Sequence, residues 1–264
     1  MKRNLEPLFL PKSPLVFTLG VVQFDPVLAV GNYIPDIHES LRKNGFPKVR
    51  ERMVTHRIVQ TDAGELRGEL KKQWEFHDSA NRTSILVDQD AVVIQTTAYT
   101  TYEEFQKLFK LALEFVADRL EVAEVIRCGL RYIDIVEDPQ EGDMTDLVDN
   151  GLLGLADLNG FHRKHSHSAT EMEGDDGTTI RIRASCVPLG IVLPPDLIPC
   201  ELVFEKPPVR QTPFVMLDLD HFSLRSFPYD SKRTLEHLSN LHDGLDHAFR
   251  SSVTPHALEL WKKP

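Results

Sequence analysis

The run Phe214–Phe222, "FVMLDLDHF", decides how the rest of the chain is read. Asp218 and Asp220 alternate with Val215, Leu217 and Leu219, which is the period of two of a strand with one apolar side and one polar side. Two other runs share that pattern. In Thr178–Cys186, "TTIRIRASC", Ile180, Ile182, Ala184 and Cys186 fall on one side, and Thr179, Arg181, Arg183 and Ser185 on the other. In Ile126–Asp134, "IRCGLRYID", Arg127 and Arg131 share a side with Gly129. If the apolar sides pack on helices, the opposite sheet face gathers four arginines and two aspartates.

Working outward, in "PLVFTLGVVQF" Leu15, Phe17, Leu19 and Val21 fall on one face, which predicts a strand over residues 15–25. A helix over 34–44, ended by Gly45 and Pro47, should follow. "MVTHRIVQT", "KQWEFHD", "RTSILVDQD" and "AVVIQTTAY" then form an antiparallel meander. Thr101 caps a helix whose stripe is Tyr102, Phe105, Leu108, Phe109, Ala112, Phe115 and Val116. The second half has the same order. It begins with the strand at 123–137 and a short helix in "MTDLVDNGLLGL". A hairpin around "GDDG", strands at "ELVFEK" and "FVMLDLDHF", and a long helix over Ser231–Ser251 complete it. The expected fold is α+β: two strand–helix–strands–helix units, residues 1–120 and 121–264, packed as one globular body. Their largely antiparallel sheet would carry its helices on one face.

Composition narrows the functional classes. Hydrophobic residues make up 41% and charged residues 27%, an ordinary globular balance. Forty acidic against thirty basic side chains give a net charge of −10, which disfavours nucleic-acid binding through the phosphate backbone. Cys128, Cys186 and Cys200 are odd in number and widely spaced, so they read as thiols of a reducing compartment. No apolar run reaches the roughly 18 residues of a membrane span, and the expected location is the cytoplasm. Trp74, Phe76, Tyr99 and Tyr102 are expected in the core. Trp261 should dock a short terminal helix on the body.

Two constellations could carry chemistry. His162–Asp176, "HRKHSHSATEMEGDD", puts His165, His167 and Glu171 on one side of a strand, a donor set suited to a divalent transition metal. "HSHSATE" is similar to the first metal motif of cupins, but no second, glycine-framed motif follows. Completing such a site would require His221, His237 or His242 to fold close by. The plainer alternative is an exposed polar hairpin with no cofactor. The second constellation is the arginine side, with Arg127, Arg131, Arg181, Arg183, Asp218 and Asp220. It could bind a phosphate-bearing or other anionic small ligand, or be a ladder of salt bridges that contributes little if exposed. His237, His242 and His247 are spaced five apart on the last long helix, share no face, and are expected beside its leucine stripe in solvent.

At "RCGLRYID", "FVMLDLDHF" and "VTPHALELW" the chain resembles an uncharacterised, sporadically distributed group of bacterial and archaeal proteins of about this length. The likeness extends to "SPLVFTLGVVQF", "YTTYEEFQKLF" and "LHDGLDHAFRSSVTP". The resemblance implies an accessory setting and supplies no catalytic residues. With an acidic surface and no complete catalytic set, the expected function is non-enzymatic binding of a protein partner, as an immunity or antitoxin-like component. The alternatives are a metal-dependent enzyme at the histidine strand and a phosphate-ligand binder at the arginine face.

Overall fold

Alternating strands and capped helices follow one another along the chain as Leu15–Phe24 (β1), Ile34–Lys43 (α1), Lys48–Gln60 (β2), Leu66–His77 (β3), Thr83–Val87 (β4), Ala91–Thr96 (β5) and Tyr102–Leu120 (α2). The order continues with Glu124–Val136 (β6), Asn150–Leu153 (α3), Ser166–Glu173 (β7), Thr178–Val187 (β8), Gly190–Ile191 (β9) and Val209–Arg210 (β10). Phe214–Ser223 (β11), Phe227–Pro228 (β12), Ser231–Ser252 (α4) and Pro255–Lys262 (α5) close it. The computed structural model describes residues 8–60, 66–137, 144–155, 158–198 and 200–263. Side chains at 55–60, 66–69 and 116–118 lie outside that description, including Val116 of the expected stripe.

The fold is α+β. Among the described residues one antiparallel sheet runs β2-β3-β4-β5-β1-β6-β11-β8-β7, with β12 beside β6. β1 and β6 pair at its centre, Val21 opposite Gly129 and Leu19 opposite Arg131. Helix starts are set by local chemistry: Thr101, Asp230 and Thr254 each accept a backbone N–H from the first turn of α2, α4 and α5. The helices lie on one face, over Val22, Phe76, Ile94, Leu130 and Leu217. The Phe109 ring of α2 meets Gly20, and the His221 ring of β11 meets Gly244 of α4, places where a β-carbon would collide. Trp261 packs against Phe249, as expected for a docked terminal helix.

The opposite face is half covered. Residues 188–198 and 200–213 cross it as a strap, burying Val192, Leu193 and Leu202 against Phe17, Ile133, Ile135 and Phe214. "ELVFEK" belongs to this strap and is not a strand. The prolines at 194, 195, 207 and 208 remove backbone donors around it, so the segment lies across the sheet and does not join its ladder. It is tied down at single points: Val203 N–H donates to the Asn81 carbonyl (2.7 Å), and Thr97 Oγ1 donates to the Val203 carbonyl (2.6 Å).

Candidate functional site

Strand register carries the six expected residues to the strap side of the sheet. Asp218 lies opposite Arg183 and Ile133, and Asp220 opposite Arg181 and Arg131. Cross-strand pairs share a face, so Arg131, Arg181, Arg183, Asp218 and Asp220 stand together, with Arg127 one step beyond Gly129 on β6.

The ion pairs do not follow the register. Arg131 passes over its opposite number, Asp220, and turns diagonally to Asp218, with Nε–Oδ1 2.7 Å and Nη2–Oδ2 2.9 Å. Its other edge meets Asp196 of the strap at 2.5 and 3.1 Å. Arg183 Nε reaches the same Asp218 at 3.0 Å. Arg131, Asp218 and Asp220 are buried, so this part of the ladder is not the exposed one that would count for little. The Arg131 guanidinium holds the Asp196 carboxyl below its usual range. Further out, Arg181 Nε donates to the Glu171 carboxylate.

Two charged groups are left over. The Asp220 carboxyl makes no hydrogen bond or ion pair among the described residues, and burial pushes it up against the opposing pull of Arg131, Arg127 and Arg183. Arg127 meets no carboxylate within ion-pair distance among the described residues, and its Nε is buried without a hydrogen-bond partner. Its guanidinium lies 5.0 Å from the Phe222 ring centre, and that of Arg181 lies 4.8 Å from the same ring. Gly129 leaves room for this, since a β-carbon there would sit 3.3 Å from Phe222 and 3.8 Å from Arg127 Nε. Phe222 was legible in principle, having the same parity as Asp218 and Asp220. Asp196 was not, since it sits in a proline-rich stretch without periodicity.

The histidine constellation folds as the expected hairpin, with Glu171 opposite Arg181 and His167 opposite Ser185. The His165 and His167 rings are 5.9 Å apart. His167 Nδ1 pairs with Ser185 Oγ at 2.9 Å, and the Glu171 carboxylate is taken by Arg181. The expected extra ligands lie on the other, helix-packed face. His221 Nδ1 donates to the Leu241 carbonyl (2.9 Å), and its Nε2 lies 2.9 Å from Thr178 Oγ1, whose hydroxyl donates to the Asp176 carboxylate. His237 stacks on Phe227. Among the described residues no group of three or more His, Cys, Asp or Glu is arranged to hold a metal ion. Beside His165, Ser166 and His167, the exposed Leu155, Leu158 and Phe161 line an open cup of about 550 Å³.

His242 departs from the expectation of a solvent-facing residue. It stacks on Tyr102 at 4.1 Å, its Nδ1 is 3.0 Å from Tyr132 Oη, and burial lowers its pKa. Tyr132 is flanked by Tyr99 (5.5 Å) and stands two residues from Asp134, whose fully buried carboxyl is pushed up to about 8. A helix side that read as a leucine stripe therefore carries a buried polar cluster.

The site thus offers an arginine with unused donor capacity and a buried acid, both beside an aromatic ring. The comparisons add no assignment to it: no family model matches the chain, and no curated protein matches it.

Proposed function

We propose that this chain works by binding, and that it takes a small molecule bearing a phosphate or carboxylate on the strap-side face around Phe222. The observation that supports this reading is the half-buried Arg127, which has no acid partner among the described residues and a buried, unpaired Nε. A buried donor without an acceptor is costly. A planar guanidinium fork fits an oxyanion with two parallel bonds. Arg181, on the same ring, supplies a second positive charge. Asp220 lies on the same face, where burial pushes its carboxyl up against the pull of Arg131, Arg127 and Arg183. The network of Arg131, Arg183, Asp218 and Asp196 is the neutral floor on which this pair is mounted.

Thermal unfolding at low salt with inorganic phosphate, pyrophosphate, citrate and nucleoside triphosphates tests the reading. At least one of these anions should raise the midpoint in a saturable way, as ligand linkage requires. Arg127→Leu should remove that rise while leaving the fold intact. No rise with any of them at millimolar concentration contradicts the reading.

A further inference from the structure

The edge strand of the sheet offers a seat for a partner strand. β7 ends the strand order, and of its eight residues only Ser166 and Ser168 are even partly covered. Such an edge presents a row of backbone donors and acceptors to any strand that can lie beside it. Its side chains are polarised along the chain. The leading end carries His162, Arg163, Lys164, His165 and His167, and the trailing end Glu171, Glu173, Asp175 and Asp176.

We propose that the occupant of this edge is a second copy of the same chain, paired antiparallel through β7 about a twofold axis at Ala169. A twofold contact must be complementary to itself, and this register satisfies that condition. It sets His167 opposite Glu171 of the other copy, with His165, just before the strand, beside Glu173. Each contact is made twice. The helix side is matched as well. Met172, exposed to 45%, falls opposite Ser166, which lines the cup formed with Leu155, Leu158 and Phe161. One protomer's methionine thus covers the other's exposed apolar loop, and the two sheets become one. Arg127, the residue proposed to meet the anion, lies on β6, separated from β7 by β11 and β8, and the two regions are joined through Arg181, which pairs with Glu171 of β7.

Light scattering coupled to size exclusion tests the contact at low salt. The wild-type chain should elute with twice the 30.1 kDa mass of one chain. His165→Glu with His167→Glu sets acid against Glu171 and Glu173 of the other copy, and Glu171→Lys with Glu173→Lys sets lysine against its histidines. Each variant should be monomeric alone with unchanged circular dichroism, and an equimolar mixture should recover the dimer mass. A monomeric wild type at hundreds of micromolar, a dimer that survives either reversal, or a mixture that stays monomeric would each overturn the proposal. Anion-induced stabilisation is measured separately and can succeed or fail whatever the mass.

Discussion

Arg131 grips Asp218 with two parallel bonds of 2.7 and 2.9 Å while ignoring Asp220, the residue directly opposite it. Both partners are buried, and Asp218 also neutralises Arg183. Removing the carboxylate leaves Arg183 without its acid and the buried Arg131 with Asp196 alone, so Asp218→Asn should cost about 3 kcal/mol in urea unfolding. Replacing both partners, Arg131→Met with Asp218→Leu, should recover a large part of that loss, because hydrophobic replacement of a buried pair is nearly neutral. A double variant weaker than the sum of the singles would show that the pair is not coupled in this way.

Asp134 ties stability to pH. Burial raises its carboxyl to about 8, against about 4 in an unfolded chain. Below about pH 4 both states hold the proton, and the group has no effect on stability. As pH rises from there towards 8, the unfolded chain releases its proton while the folded chain retains it, so stability falls. Asp134→Asn should flatten this decline, and its advantage over wild type should be absent near pH 4 and grow to pH 8. Parallel stability curves for the two proteins over that range would refute the assignment.

Gly20 is required by packing on the helix side of the sheet. A β-carbon there would sit 2.4 Å from Phe109 and 2.9 Å from Leu130, and both are fully buried. Gly20→Ala should therefore destabilise by about 1–3 kcal/mol in spite of alanine's better strand propensity. Phe109→Leu in the same chain should offset part of the loss, and chemical denaturation of the two variants measures it.

How much of this was legible depended on whether a feature is periodic. The side-chain period of two assigned Arg131, Arg181, Arg183, Asp218 and Asp220 to one face, and the structure puts them there. Helix capping at Thr101 was readable because the cap and its amide are three residues apart. The strap was not, since its contacts with the sheet are made one at a time by Asp196, Glu201 and Val203, across long stretches of chain. His242 misled for a related reason. Helical spacing shows which residues share a stripe, but not that α2 would bring Tyr102 against the stripe's margin.

The central claim is that Arg127 is the group that meets the anion. Side-chain Nε–Hε resonances of arginine, followed by NMR during titration with pyrophosphate, address that residue directly, with its signal assigned by loss in Arg127→Leu. The account expects the Arg127 resonance to move saturably and Arg181 to follow, while Arg131, clamped between Asp218 and Asp196, stays in place. An Arg127 signal that does not move, or one that moves without saturation along with exposed arginines such as Arg42 and Arg119, would contradict it.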